Sequence, residues 1–355
     1  MAKRAACSAQ QRIVALSALD TAIDLPAPWI AAQTRELLAQ RGHAWLLTGP
    51  SGLGQYDLAL AMARAWLCEH PKEDGACGQC GSCHAIDVRT HADLCVLMPE
   101  TWMLDLGWPL SERAQAEIDD KKRKPSKEIR VDAMRDAVEF AQRTSARGRG
   151  KAVLVFPAED MNHVTANALL KTLEEPPGDV KFVLASEAAH RLLATIRSRC
   201  LGHTMRWPDH ATSTQWLQSH GMDAVRASQA LLATGGRPQD ALDFANAGLD
   251  PAAWGALPKS MLRGDVGAVR DWSPARVLDA LQKLCHDLLV VRMGAEPRFF
   301  AASDLVGAPT VTALNQWGRS LSDQKRTIEH PFNAGLLLES LVSQAQTVLG
   351  SATVL

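Results

Sequence analysis

A glycine-rich loop between a strand pattern and a helix pattern constrains the fold of this chain more than any other feature. HAWLLTGP (43–50) is a short apolar run ended by Gly-Pro, which is typical of a buried parallel strand. After the loop, apolar residues recur on one helical face, at Leu58, Met62, Ala65 and Trp66. A strand, a glycine loop and a helix in this order predict a phosphate-binding loop.

The loop itself departs from the phosphate-binding pattern G-x-x-x-x-G-K-[ST]. In GPSGLGQY both glycines stand at the required spacing, but glutamine and tyrosine replace the lysine and the small hydroxyl residue. Those two side chains normally neutralise phosphate charge and bind magnesium. We therefore expect neither functional ATP binding nor hydrolysis, with a chance glycine turn as the alternative interpretation. The loop positions concerned are Gly49, Gly52, Gly54, Gln55 and Tyr56.

Three further apolar runs predict strands, and helical patterns lie between them. They are ADLCVLMP (92–99), KAVLVF (151–156) and KFVLAS (181–186). The last two flank a helical pattern that ends at Pro176 and Pro177. This alternation predicts an α/β fold, a mostly parallel, doubly wound sheet with helices on both faces.

The strand KAVLVF shows a second departure from a nucleotide-hydrolysing site. An acidic pair is expected at its end, to hold magnesium and polarise the attacking water, but Phe156 and Pro157 stand there. The nearby Glu159 and Asp160 fall beyond the strand end. The loss of the loop lysine and hydroxyl residue and the loss of the acidic pair together indicate a site without catalytic activity.

Four of the eight cysteines cluster just after the predicted helix, in the spacing C-x8-C-x2-C-x2-C. Four thiolates can close a tetrahedral structural zinc site, with no open position for catalysis. An iron–sulfur cluster is the alternative, although the ferredoxin pattern requires a further cysteine where Asp87 stands. The predicted ligands are Cys68, Cys77, Cys80 and Cys83.

Charge and hydropathy argue against a mainly nucleic-acid-binding, a secreted or a membrane-spanning protein. The net charge of −1 and the pI near 6.8 argue against an affinity that comes mainly from nucleic-acid phosphates. The chain shows neither a signal-like apolar segment near its first residues nor a run of eighteen apolar residues, and its cysteines suit a reducing compartment, so we expect a cytoplasmic protein. The polar, charged segment 113–130 has no periodicity, and we predict a solvated loop insertion at about 104–127. Contact of its KKRK run with nucleic acid is the alternative.

From about residue 207 the strand patterns stop and helical patterns follow. A break at ATGGRPQDAL (233–242) separates two of them, and a Pro/Gly-containing stretch ends near residue 260. In the last long pattern Asn333 is placed as an N-cap. Between strand and helices, ATIRSRC (194–200) carries arginines that could stabilise the charge of a nucleotide on a neighbouring subunit; an ordinary surface arginine is the alternative.

Several motifs taken together resemble the AAA+ clamp-loader family of bacterial DNA polymerase III, and within it the type of subunit with a degenerate phosphate loop. The motifs are GPSGLGQY, the four-cysteine insert, NALLKTLEEPP (167–177), TIRSRC (195–200), EIRVDAMRD (128–136) and HPFNAGLLLESL (330–341). The resemblance covers most of the chain and is weakest over the first twenty or so residues and the insertion.

The resemblance implies three domains and a role for each site. They are an AAA+-like α/β domain (1–206) carrying a zinc module (about 68–84), a small helical lid (207–250) and an all-helical collar (260–355). The four cysteines would bind structural zinc, and Arg199 would act as a trans arginine finger toward ATP on the adjacent subunit. The lid lacks the sensing arginine of active relatives, since Gln239 precedes Asp-Ala-Leu, although Arg237 lies two residues earlier.

The implied partners are the tau/gamma and delta subunits and, through the complex, the sliding clamp and primed DNA. Although such a chain is part of a DNA-directed DNA polymerase assembly, we expect no ATPase or polymerase activity of its own. Two other functions remain open: an active ATPase with an unusual loop, and a zinc-dependent nucleic-acid-binding protein.

Overall fold

The computed structural model describes residues 26–248, 250–328 and 333–351. The prediction about the first residues, and the start of the last helical motif at 330–332, lie outside this range. Within the described residues, none of the helices has the length and apolar character needed to cross a membrane. The chain divides into two compact units, the first running to Asp209 and the second beginning at His210.

The N-terminal unit is built on a five-stranded sheet in which every pairing is parallel. The strands are β1 (Ala44–Thr48), β2 (Leu94–Leu97), β3 (Lys151–Val155), β4 (Val180–Ser186) and β5 (Leu201–Thr204), in the order β2-β3-β4-β1-β5. The residues of β3 are all buried and those of β4 nearly so, as expected for strands covered on both faces. The predicted α/β fold with a parallel sheet is confirmed.

Eight helices accompany this sheet in the described part of the unit. They are α1 (Pro28–Leu38), α2 (Gln55–Leu67), α3 (Gly81–Asp87), α4 (Glu100–Asp105), α5 (Glu112–Asp119), α6 (Val131–Gln142), α7 (His163–Glu174) and the short α8 (Ala194–Arg197). Asn162 caps α7 by accepting from the Thr165 N–H, and Pro176 and Pro177 follow its end. The core residues contributed by α6, α7 and the strands form one apolar cluster.

Two features of this unit differ from the sequence prediction. The strand β5 was missed because it lies at the sheet edge, where Leu201 and Gly202 are exposed and no apolar pattern marks it. The prediction of a solvated loop over 104–127 is wrong for its middle, where Ser111 caps the helix α5. It is also wrong for Trp108, which is only 6% exposed.

The C-terminal unit is entirely helical in its described residues. Its helices are α9 (His210–Ser219), α10 (Ala224–Ala233), α11 (Pro238–Asn246), α12 (Pro251–Arg263), α13 (Pro274–Arg292), α14 (Val311–Thr327) and α15 (Ala334–Gly350). The predicted cap is confirmed, since Asn333 Oδ1 accepts from the N–H groups of Gly335 and Leu336. One apolar core runs from Leu217 to Leu349; the division into lid and collar stays a prediction.

A buried carboxylate organises the long connection between α13 and α14. Asp287, fully buried, accepts hydrogen bonds from the backbone N–H groups of Arg298, Phe299 and Phe300 at 3.0, 2.6 and 2.9 Å. The Phe300 ring in turn stacks on Trp254 of α12, with centroids 4.9 Å apart. An irregular segment is thereby fixed to the helical core.

Candidate functional site

The glycine loop is closed by one of its own side chains. Gln55, the first residue of α2, is only 2% exposed, and its Nε2 donates to the carbonyl oxygens of Gly49 and Pro50 at 2.8 and 2.7 Å. Gly54 precedes it with φ of 87°, a left-handed conformation that a residue with a Cβ rarely adopts. From the other side, Trp29 Nε1 donates to the Leu53 carbonyl at 2.9 Å. The amide that replaces lysine therefore serves the loop backbone.

An aromatic cluster adjoins the end of the glycine loop. The cluster consists of Tyr56, Trp102, Trp108 and Phe156. Tyr56 and Phe156 stand at the two degenerate positions, and their ring centroids lie 5.7 Å apart. Trp108 Nε1 donates to the Tyr56 hydroxyl at 2.8 Å, and Trp102 packs edge-on against Phe156 at 5.6 Å. Burial raises the pKa of Tyr56, so the phenol stays neutral and offers no anionic metal ligand.

The acids that follow β3 do not replace the missing magnesium ligands. Glu159 and Asp160 lie in a short 3-10 turn beyond the strand end, as the sequence predicted. Glu159 Oε1 accepts from the backbone N–H of Glu187 at 3.0 Å. Burial, and then the charge of Glu159, raises the pKa of Asp160. One oxygen of Glu159 thus serves the local backbone, while its Oε2 is buried without a hydrogen-bond partner in the described residues.

The segment that carries Trp102 and Trp108 is held in place by a charged cluster. Arg123 binds both carboxylate oxygens of Glu100, with Nη2 at 2.7 Å from Oε1, and its Nε donates to Glu117 Oε2 at 2.7 Å. The backbone N–H of Ser126 also donates to Glu100 at 2.8 Å. Burial alone would raise the pKa of Glu100, but the Arg123 and Ser126 hydrogen bonds outweigh it and lower the pKa. The insertion is therefore tied to α4 at its far end.

The four predicted cysteine ligands come together in three dimensions. Their sulfur atoms all lie within 4.8 Å of one another. The Sγ of Cys68 is 3.8 Å from those of Cys80 and Cys83, and the Sγ of Cys77 is 4.0 Å from that of Cys83. Four sulfurs at about 2.3 Å from one tetrahedral zinc would lie about 3.8 Å apart. The arrangement fits a single metal ion; a multi-iron cluster would hold the sulfurs further apart.

The surroundings of the cysteines favour thiolate at one of them. Burial raises the Cys80 pKa, but N–H donors from Cys83 and Glu69 outweigh it and bring the pKa to about 6. Burial and the neighbouring sulfurs raise the Cys83 pKa to about 12. Glu69 braces the module, because its Oε1 accepts from the Ser82 N–H at 3.2 Å and from Arg147 Nη1 at 2.8 Å. The all-sulfur set suits a soft ion such as zinc.

The side chain of Arg199 is held within its own chain. Its Nε donates to Glu174 Oε1 at 2.6 Å, with Nη2 on the same oxygen. Its Nη1 donates to the Thr195 carbonyl at 2.8 Å. The side chain remains 29% exposed. The arginine of one sequence motif is therefore paired with a glutamate of another.

The sheet separates Arg199 from the glycine loop of its own chain. Trp45 and Thr48 of β1 pair with Leu201 and Thr204 of β5 in parallel register. Arg199 precedes β5 at the amino edge, whereas the glycine loop follows β1 at the carboxyl edge. The two edges are separated by at least three residues of strand, or about 10 Å. Arg199 therefore lies at the sheet edge opposite to its own glycine loop.

Sequence reasoning found part of this arrangement and missed part. The structure brings the four cysteines together, and it groups Gln55 and Tyr56 with the loop glycines. It does not bring Arg199 to that loop. The missed residues are Trp102, Trp108 and Glu174. Trp108 was the available signal, because it stands inside the segment taken as solvated and solvated loops seldom carry a tryptophan. Trp102 lies just before that segment.

The chain is similar in sequence to known subunits of bacterial DNA polymerase III. The profile described as "DNA polymerase III, delta subunit" matches residues 33–207. The delta-prime subunit of DNA polymerase III from Pseudomonas aeruginosa is 41% identical over 215 residues, which is 59% of this chain and 58% of that protein. The Escherichia coli delta-prime subunit is 34% identical over 223 residues, 61% of this chain and 59% of that protein. The confirmed resemblance is to delta-prime subunits.

The delta-prime resemblance spans somewhat more than half the length of each of these relatives. A second type of subunit is also similar. The Escherichia coli DNA polymerase III subunit tau is 34% identical over 159 residues, covering 45% of this chain and 21% of that protein. The chain is thus similar in sequence to both delta-prime and tau subunits.

Proposed function

We propose that this chain is a non-hydrolysing delta-prime subunit of a bacterial clamp loader, which lends Arg199 to the ATP site of a neighbouring tau/gamma subunit. The observation that carries the proposal is that the degenerate glycine loop and Arg199 lie at opposite edges of one sheet. The carboxyl edge holds a loop closed by Gln55 and flanked by aromatic rings, and the amino edge carries an arginine that lies away from it. The similarity to delta-prime subunits supports the same assignment.

The chemistry of the proposed role is charge stabilisation across a subunit boundary. A guanidinium placed beside the γ-phosphate offsets the negative charge of the transition state, an effect of roughly 10³ or more in rate. The chain itself would contribute no phosphate-binding lysine and no magnesium ligand, because those positions are Gln55, Tyr56 and Phe156. Its partners would be tau/gamma and delta subunits and, through them, the sliding clamp and primed DNA.

The cysteine site would have a structural role within this proposal. Cys68, Cys77, Cys80 and Cys83 would hold one Zn²⁺, which when bound supplies a four-way crosslink and no catalysis. The crosslink would join the end of α2 to the start of α3, beside the Glu69 contact with Arg147. The metal would thereby stabilise a module that cannot form a sizeable core of its own.

The test is steady-state ATP hydrolysis with primed DNA and sliding clamp present. We would compare this chain alone, tau/gamma with delta, and the full complex, and then repeat the full complex with Arg199→Ala. Arg197→Ala is the matched control, since Arg197 is exposed on α8 two residues away. We expect no turnover by the chain alone, stimulation in the complex, and loss of that stimulation with Arg199→Ala only.

Two results would contradict the proposal. Robust turnover by the purified chain would favour the active ATPase. Equal losses with Arg197→Ala and Arg199→Ala would mean that the effect is one of general surface charge.

A further inference from the structure

Arg199 is held by a specific acidic partner. Glu174 is the last residue of α7, and its Oε1 accepts from Nε and Nη2 of Arg199, while the Thr195 carbonyl accepts from Nη1. These contacts join two segments that are 25 residues apart in sequence. The guanidinium is therefore fixed from one side by a side chain and from another by backbone.

The pattern of donors leaves the outer end of the guanidinium available. An arginine carries five N–H groups in a planar fork. Three are used in the contacts with Glu174 and Thr195, and Nη1 makes one further contact of 3.5 Å with Ser198 Oγ. In the described residues, the remaining Nη2 N–H has no short bond, and that of Nη1 has only this long contact. Glu174 thus engages the Nε/Nη2 side of the fork, and one N–H of Nη1 and one of Nη2 are left without a short bond in the described residues.

The platform that carries Glu174 is rigid. Leu173, immediately before it, is 1% exposed, and its carbonyl oxygen lies 2.8 Å from His43 Nε2. Thr172 is also buried, and Pro176 and Pro177 end the helix beyond. A carboxylate on such a fixed helix end can define the direction of a long, flexible arginine side chain. A surface ion pair of this kind adds little stability, so orientation is the more important consequence.

We propose that Glu174 is a positioning residue for Arg199, holding the guanidinium side-on so that its outer N–H groups point across the subunit boundary at the neighbour's nucleotide. This inference rests on the proposed function of Arg199. Without Glu174 the side chain would sample other rotamers, and the fraction of time spent in the productive orientation would fall. The effect would be on kcat, because orientation matters after ATP is bound.

The experiment measures ATP hydrolysis by the full complex with clamp and primed DNA, for wild type, Glu174→Ala, Glu174→Gln, Arg199→Ala and the Glu174→Ala/Arg199→Ala double variant. We expect Glu174→Ala to lower kcat at the neighbouring site by about three- to tenfold, with KM for ATP unchanged. Glu174→Gln, which keeps an oxygen acceptor, should retain part of the rate. The double variant should match Arg199→Ala, because a positioning residue has no effect without the group that it positions.

Glu175→Ala is the matched control, since it removes the same charge from the next, exposed residue and should leave kcat unchanged. Gel filtration would test whether each variant still assembles into the complex. A rise in kcat with Glu174→Ala would show that Glu174 withholds the arginine, and an unchanged kcat would show no role; either overturns the inference while the Arg199 effect stands. An Arg199→Ala variant with unchanged kcat would overturn the proposed function, and this inference with it.

Discussion

The indole N–H of Trp108 donates a hydrogen bond to the hydroxyl of Tyr56 across 52 residues of sequence, at 2.8 Å. The bond links the tyrosine of the degenerate phosphate loop to the insertion that covers it. We expect Tyr56→Phe to reduce the free energy of unfolding by about 1–3 kcal/mol, because it leaves a buried N–H without an acceptor. Chemical denaturation of the Tyr56→Phe, Trp108→Phe and double variants measures this. A double variant whose loss equals the sum of the single losses would contradict a direct coupling.

Restoring the two loop residues alone is not expected to restore catalysis. Gln55→Lys with Tyr56→Thr rebuilds the phosphate-loop pattern, but Phe156 still stands where a magnesium ligand is needed, and Trp102 still packs against it. We expect ATP turnover by the purified double variant to stay at background. Gln55→Lys alone is the control for charge, and a thermal melt shows whether each variant is folded. Measurable turnover by the double variant would show that the aromatic cluster does not block the site.

Metal binding should depend on the clustered cysteines and not on other buried thiols. Cys83→Ser removes a fully buried ligand, and we expect the zinc content to fall from about one ion per chain to near zero, with a lower Tm. Cys95→Ser is the matched control, because Cys95 lies against the apolar core, where burial raises its pKa to about 12. Elemental analysis and thermal melts measure both effects. Full zinc content in Cys83→Ser would contradict the four-ligand site.

The stability contributed by Asp93 should disappear in acid. Asp93 is fully buried; burial raises its pKa, but hydrogen bonds from Ala146, Arg147 and Ser145, and then the charge of Lys151, outweigh burial and lower it. A lowered pKa contributes stability that is full above the unfolded value, about 3.9, and is lost as the pH falls through the lower folded value. We expect Asp93→Asn to be less stable than wild type by about 3 kcal/mol at pH 7, because it leaves the Lys151 charge buried and unpaired.

The difference between wild type and Asp93→Asn should narrow as the pH falls below about 4. Urea denaturation at a series of pH values measures it. Asp132→Asn is the control, because Asp132 is an exposed aspartate whose ion pair with Arg135 spans 3.8 Å. A difference that stays constant into strong acid would show that the carboxylate of Asp93 is not charged in the folded protein.

The sequence patterns predicted those parts of the fold that depend on neighbours along the chain. Strands β3 and β4 are buried on both faces, so their sequences are continuous apolar runs and were recognised. The edge strand β5 depends on its pairing with β1, and its residues carry no pattern of their own. The clustering of the four cysteines was predictable because their spacing is local.

The rest of the candidate site consists of contacts between distant segments, which local patterns do not record. The sequence marked Tyr56 as a defect of the phosphate loop, but only the fold shows that Trp108 bonds to it. Likewise, Glu174 stands in a recognised motif without an assigned role until the fold places it against Arg199. The charged segment was taken for a solvated loop because nothing in it reveals that Arg123 binds Glu100.

The Glu69 carboxylate has a consequence for how the chain would respond to oxidation. It follows the predicted ligand Cys68 directly, and it accepts from Arg147, whose backbone N–H donates to Asp93 at 2.8 Å. Asp93 in turn faces Lys151 at the start of β3. An oxidant that consumed the thiols would therefore loosen the segment leading into a central strand as well as the metal module. Amide hydrogen exchange at residues 145–152 would register the redox history of cysteines that lie more than sixty positions earlier.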